Sequence, residues 1–328
     1  MTIKSSGSSL SFSEIESEFG ANGSRSLGAY RLSQSVGSLS NLPLDSGIPT
    51  SGTIKFSDFY SKQLNVVVDC HSGGEETRII AKNSKWNNNN LTVIGGFRSK
   101  KEGGSKIIIN VNKKICSDKS NVNHCALRTG SWDGTATVQI DVGSSGKILG
   151  SGGDGGNGAN GINNSGSPGG SGTSGLGIDT NNVTVNIASG AIIRAGFGGG
   201  GGGGGGRQVD KNADRRASGG GGGGGAGCPP GNGGSGGNVG AGGGPGSAGT
   251  ETTGGGGGGG GNNANQAYGA SGGSGANLGG NAGGGGNSQT GGGSAGGNGA
   301  AIRRNSGFTV NINNSGTITG DTSATGVG

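Results

Sequence analysis

The chain has 328 residues, of which 89 are glycine, with only 27% apolar and 4% aromatic. This excludes one conventional hydrophobic core along the whole length, and no run approaches the roughly 20 apolar residues of a membrane helix. Net charge is +6, and twelve Lys/Arg against five Asp/Glu fall between Ser61 and Gly130, so the basic excess lies in the middle, as a solvated face or a surface for anionic partners.

Residues 1–63 contain an internal echo. Ser6-Gly-Ser-Ser-Leu-Ser-Phe-Ser-Glu-Ile returns as Ser51-Gly-Thr-Ile-Lys-Phe-Ser-Asp-Phe. Ser13 and Glu16 have capping-box spacing and Gly20 suits a stop, so the sequence predicts a short helix over Ser13–Phe19 and a second near Ser57–Ser61. Helices this short need tertiary support, so the module is expected to dock on something larger. Met1–Gly20 is Ser-rich and acidic without an apolar stretch, which predicts synthesis in a cytosol without a standard export signal.

Residues 64–142 read as β-structure. Leu64–Asp69, Thr77–Ala81, Leu91–Ile94, Lys106–Asn112 and Thr135–Val142 are β-branched runs separated by Gly, Asn and Ser, and their spacing predicts a small antiparallel sandwich. Trp86 and Trp132 are expected at its core or rim.

From Gly143 onward repeats dominate. A strand-turn unit occurs at Thr137-Val-Gln-Ile…Gly146-Lys-Ile, Thr184-Val-Asn-Ile…Gly190-Ala-Ile and Thr309-Val-Asn-Ile…Gly316-Thr-Ile. The glycine tracts keep a period of three: Ser151, Asp154, Asn157 and Asn160 are each separated by two small residues, as are Asn232, Ser235, Asn238 and Ala241. Polyproline II geometry has three residues per turn, about 3.1 Å rise and no internal hydrogen bonds. Glycine-only faces let such helices pack closely and pair N–H with C=O between neighbours. Residues 143–328 are therefore expected to form a polyglycine II bundle, with disorder as the competing reading. Six prolines and the lack of a sustained G-X-Y frame exclude collagen. The segments between tracts become end loops: Arg207–Ser218, Cys228–Gly231, Gly246–Thr253, Asn262–Tyr268, Gly286–Thr290 and Ala300–Ser306.

No catalytic or cofactor site emerges. Gly143-Ser-Ser-Gly-Lys-Ile lacks phosphate-loop spacing, and GxGxxG matches lack a strand-loop-helix setting. Gly152-Gly-Asp-Gly-Gly-Asn has Asn where a calcium repeat needs Asp. Cys116, His124 and Cys125, with Cys70 and His71, fit no standard zinc spacing. The cysteines read as buried thiols, with a Cys116–Cys125 hairpin disulfide in an oxidising medium as the other option. With only His71 and His124 as histidines, triad chemistry has little to work with. No enzyme, no cofactor, no metal and no nucleic-acid partner are expected. Loops on a rigid frame often carry recognition, and Arg and Tyr favour it. The candidate contact residues are Arg207, Gln208, Asp210, Lys211, Asp214, Arg215 and Arg216 in the longest loop, with Tyr268, Arg303 and Arg304. The bland alternative makes Arg207–Ser218 a soluble turn.

The glycine tracts of Gly150–Gly328, with Gly231–Asn238 reading GNGGSGGN and loops between the tracts, resemble the distal adhesins of T-even phage long tail fibres. The segments SLSFSEIESEFG and IPTSGTIKFSDFYSK resemble a module at the start of many phage structural proteins. The resemblance implies a mostly β and irregular protein in three parts: a virion attachment module (1–63), a short-stranded β domain (64–142) and the polyglycine II bundle (143–328). It implies a tail-fibre or tail-tip adhesin, made in the host cytoplasm and carried on the virion. Residues 1–63 would dock on other tail or fibre proteins, and end loops would touch a host outer-membrane protein or lipopolysaccharide. Trp-richer attachment regions in the T-even adhesins leave the docking partner open, as is homo-oligomerisation. The alternatives are a purely structural virion fibre or decoration protein, and a glycine-rich binding or ice-binding protein outside any virus.

Overall fold

The computed structural model describes residues 3–21, 23, 25–36, 39–70, 76, 77, 79, 80, 91–93, 104–210, 213–263 and 267–327. His71, Trp86 and Lys211 lie outside the described residues. The N-terminal echo becomes two related pieces of structure. Helix α1 (Phe12–Phe19) starts earlier than the spacing predicts. Ser11, not Ser13, is the cap: its hydroxyl accepts from Glu14 N, and Glu14 Oε2 accepts from Ser11 N at 2.7 Å. Starting there leaves Glu14 in ion-pair reach of Lys4, at 2.7 Å. The second copy is one 3-10 turn, Phe56–Phe59, where Asp58 accepts from Lys55 N at 2.7 Å. Ile15 and Phe59, equivalent in the echo, are both fully buried, with Phe19, Tyr30 and Leu44 around them. A short hairpin of β1 (Gln34–Val36) and β2 (Leu39–Leu42) completes the module. Its core extends onto Val67 and Ile108 of the next part of the chain.

That next part coils. The first turn contains β3 (Asn65–Asp69), β4 (Glu76–Thr77), β5 (Ile79–Ile80) and β6 (Leu91–Val93), which pairs antiparallel with β3 at the sheet edge. The second contains β7 (Lys106–Val111), β8 (Lys114–Cys116) and β9 (Cys125–Arg128), and the third β10 (Thr137–Val142), β11 (Lys147–Leu149) and β12 (Ser174–Ile178). The fourth begins with β13 (Val183–Ile187) and β14 (Ile192–Arg194). A long excursion then carries two hairpins, β15 (Gly206–Asp210) with β16 (Ala213–Ala217) and β17 (Asn262–Asn263) with β18 (Ala267–Tyr268). The chain returns as β19 (Ile302–Arg304) and finishes with β20 (Val310–Asn314), β21 (Thr317–Thr319) and β22 (Ala324–Thr325).

Successive coils stack in parallel on three sheets, ordered β20-β13-β10-β7-β3-β6, β21-β14-β11-β8-β4 and β22-β19-β12-β9-β5. This corrects the antiparallel sandwich expected over 64–142. No tight turn joins β3, β7 and β10; β7 and β10 are each reached only after the chain has visited the other two sheets. The solenoid also crosses the boundary drawn at residue 142. Inward positions stack like on like, as Val66-Ile107-Val138-Val183-Val310 and Val68-Ile109-Ile140-Val185-Ile312. The first four members of each row are nearly or fully buried, so period-two patterning and register agree. Trp132 joins this core and donates Nε1–H to Thr129 O at 2.9 Å. At one corner Asp179 receives a two-pronged bond from Arg128, at 2.8 and 2.9 Å.

The glycine-rich sequence is inserted into this solenoid twice, over 150–173 between β11 and β12 and over 195–301 between β14 and β19. Its segments lie side by side, joined by backbone hydrogen bonds that step by three. Gly199 and Gly202 donate to Gly170 and Ser167, Gly200 and Gly203 to Gly223 and Gly220, and Gly201 and Gly204 to Gly283 and Gly286. The same segment accepts from Gly156 and Ala159, from Gly273 and Ala270, and from Gly296 and Gly293. Gly198–Gly206 therefore donates toward three neighbours and accepts from three others, and all nine residues are buried. The backbone, not apolar side chains, is what pairs in this interior. Close approach is the reason for glycine: a Cβ on Gly202 would stand 1.9 Å from Asn157 O.

The root of the bundle is fastened to the second sheet. Cys116 of β8 forms a disulfide with Cys228, while Cys70 and Cys125 are buried thiols. The alternative Cys116–Cys125 bridge is overturned because those residues belong to different sheets of the coil. Beside the disulfide, Glu251 meets Lys114 at 3.1 Å and Arg194 at 3.3 Å.

Candidate recognition surface at the bundle tip

Five connections gather at the end of the bundle away from the solenoid. Gly161 N donates to Ser218 Oγ, and that hydroxyl donates to Val239 O. Arg207 N donates to Gln289 Oε1, and Ser288 Oγ donates to Tyr268 O. The turns near residues 161, 239 and 288 and both hairpins are thus tied into one patch. Strand β18 packs against both β15 and β16.

The longest expected loop is a hairpin, not an irregular crossover. Arg207 pairs in register with Arg216, Gln208 with Arg215, and Val209 with Asp214. Asp214 organises its charge: Arg207 Nε and Nη2 donate to its two carboxylate oxygens at 2.7 and 3.0 Å, and Arg216 Nη2 donates at 3.2 Å. Hydrogen bonds from Arg207 and then Arg216 hold the Asp214 carboxyl below the usual carboxylate range. Two guanidinium planes are therefore braced by one acid, a geometry suited to presenting cations at fixed positions. Asp210 lies at the end of β15. Val209 and Tyr268 are each 58% exposed, an aliphatic and an aromatic contact within a basic surface.

The structure separates the expected contact residues into two groups. Arg207, Gln208, Asp210, Asp214, Arg215, Arg216 and Tyr268 share the tip. Arg303 and Arg304 belong to β19 in the solenoid, because Ala300–Ser306 is the chain returning to its coil and not an end loop. Arg303 Nε donates to Ser174 Oγ at 3.1 Å and Nη1 to Thr325 O at 2.9 Å, so it ties coils together. Cys228–Gly231 and Gly246–Thr253 lie at the root. Sequence reasoning missed the turns at Gly161 and Val239, and it did not single out Val209 and Gln289 within the loops it expected. The available signals were the breaks in the three-residue period, marked by Gly161 and Gly240 at φ +56 and +70. Among the described residues no group of three or more His, Cys, Asp or Glu is placed to hold a metal ion, and no helix is long and apolar enough to cross a membrane.

A family model described as phage tail fibre adhesin Gp38 matches residues 75–323. No curated protein and no solved structure matches the chain.

Proposed function

The chain belongs to the phage tail fibre adhesin family, and from that premise we propose that it grips the host cell with the bundle tip and the virion with residues 1–63. A tail fibre adhesin is a virion tail component that meets the host surface. The family match covers the glycine insertions and the solenoid apart from β3 and β22, and within that span the tip is where polar hairpins, braced arginines and an exposed tyrosine converge. That convergence is the observation that carries the reading.

The inserted segments are best understood as a polyglycine II bundle. The three-residue hydrogen-bond step and the six neighbours around Gly198–Gly206 support this, as does the likeness to T-even adhesins in glycine periodicity. Nine residues at about 3.1 Å each carry the hairpin roughly 28 Å from the root. A lattice of backbone bonds holds the tip on a stiff post while leaving its side chains free to vary. The receptor is an outer-membrane protein or lipopolysaccharide, and Arg207, Gln208, Arg215, Arg216 and Tyr268 face it.

Residues 1–63 lie outside the family match. Phe56 is 40% exposed and its ring packs edge-on against Phe12, with centroids 6.1 Å apart, a surface fit for docking on another tail protein. The test exchanges residues 207–217 for a Gly-Ser turn and measures adsorption to host cells. Loss of adsorption with an unchanged melting temperature is expected; undiminished adsorption removes the hairpin from the site.

A further inference from the structure

The outer face of the first sheet is divided. One outward row runs Val67, Ile108, Gln139, Thr184, Asn311 in register. Its first two members are apolar and lie under the N-terminal module. Its last three are polar and uncovered. The face therefore displays, in a single row, what it looks like where polypeptide covers it and what it looks like where none does. A protein partner on the later coils would call for more of the former.

The next outward row runs Asp69, Asn110, Asp141, Asn186, Asn313. It is wired: Asn186 Nδ2 donates to Asp141 Oδ1 at 2.7 Å, and Asn313 Nδ2 donates to Asn186 Oδ1 at 2.8 Å. Gln139 Nε2 bonds both oxygens of Asp141, at 2.9 and 2.8 Å. These bonds fix the amide planes, yet each Asn keeps a second N–H and further lone pairs for a ligand. The side chains of Thr184 and Asn311 make no hydrogen bond to other described residues. With Lys106 and Thr137, the side chains of Gln139, Thr184, Asn186, Asn311 and Asn313 line an open groove of about 470 Å³.

We propose that this groove is a glycan-binding site, separate from the tip, that takes a hydroxyl-rich bacterial surface saccharide lying across β10, β13 and β20. Carboxamides and hydroxyls each donate and accept, which matches vicinal sugar hydroxyls. The strands repeat every ~4.8 Å, so like groups recur at a spacing comparable to one pyranose unit. Lys106 is the one charged side chain lining the groove, and the Asp141 carboxylate beside it is bonded to Gln139 and Asn186, so the groove selects no strongly charged polymer, and it has no aromatic or large apolar side chain to anchor a protein. The arrangement suits repeated weak contacts along a chain, as a second and more general hold on the cell surface.

The experiment places the full chain on an array of bacterial surface polysaccharides and compares it with Thr184→Ala/Asn311→Ala and with Arg215→Ala/Arg216→Ala. Retention on at least one neutral polysaccharide is expected. The groove variant should lose at least tenfold in apparent affinity, and the tip variant should bind these glycans as the parent does. Melting temperatures check folding, and Asn311→Lys, on the exposed edge strand, gives a second obstruction. Lack of retention by the parent chain, or equal binding by both groove variants, overturns the proposal. Loss in the tip variant alone overturns it too and moves the glycan site to the tip. Loss of adsorption by the tip variant with glycan binding intact separates the two readings.

Discussion

Alanine at Gly202 would put a methyl group where the neighbouring backbone already is. Its Cβ would stand 1.9 Å from Asn157 O, 2.4 Å from Asn157 C and 2.9 Å from Gly158 N. Backbone cannot swing aside as a side chain can, so the segment carrying Asn157 must separate from the central one. The bonds Gly153 N to Phe197 O, Gly156 N to Gly200 O and Ala159 N to Gly203 O join those two segments. At about 0.5–1.5 kcal/mol net each, losing three costs roughly 1.5–4.5 kcal/mol, with more where a freed buried group finds no water. Gly256 supplies the control. It is exposed, and a Cβ there meets nothing within 4 Å, so Gly256→Ala should be neutral or stabilising by up to about 1 kcal/mol through the unfolded chain. Calorimetry should show Gly202→Ala melting lower by roughly 3–18 °C, at about 2–4 °C per kcal/mol, with Gly256→Ala near the parent. Equal melting of the two variants would refute close backbone packing as the source of order.

Three further outcomes follow from the root and the solenoid. Peptide mapping without reductant should recover Cys116 linked to Cys228, and no Cys116–Cys125 species. Burial raises the pKa of Glu251, but the Lys114 hydrogen bond and the charges of Lys114 and Arg194 outweigh it and leave it below 4.5. The clamp's contribution is therefore complete above that pH and is lost as pH falls through the lower folded value; Glu251→Gln should flatten this acid-side loss in melting curves while sparing neutral stability least of all. Ile140, fully buried between Ile109 and Val185, should cost about 2–5 kcal/mol on change to Ala, read by denaturant unfolding.

Much of the local structure was legible. The expected runs at Leu64–Asp69, Lys106–Asn112 and Thr135–Val142 differ from β3, β7 and β10 only at their ends. The Thr-Val-x-Ile repeat falls on β10–β11, β13–β14 and β20–β21; its first and third copies share one register, and the middle copy is shifted by two residues, with Thr184 opposite Gln139 and Asn311. What stayed hidden was closure. Each coil needs a third strand, and insertions after Leu149 and Arg194 push β12 and β19 far along the chain, so the repeat looks like three isolated units. β-branched runs alone do not distinguish a sandwich from a solenoid, since both bury alternate residues. The helix start was misjudged because Ser11-x-x-Glu14 and Ser13-x-x-Glu16 carry the same cap signal. Charge and composition singled out two loops, Arg207–Ser218 and Asn262–Tyr268, that the structure brings together at the tip. They also drew in Arg303 and Arg304, which lie on β19, where Arg303 bonds Ser174 and Thr325.

The most direct test of host recognition by the tip is hydroxyl-radical footprinting of the full chain on host cells, with and without bound cells. Tyr268 and Val209 should lose labelling on binding, while Phe56 in the N-terminal module keeps it. Unchanged labelling of Tyr268 and Val209, with protection of Phe56 instead, would contradict the account and turn the molecule around on the virion.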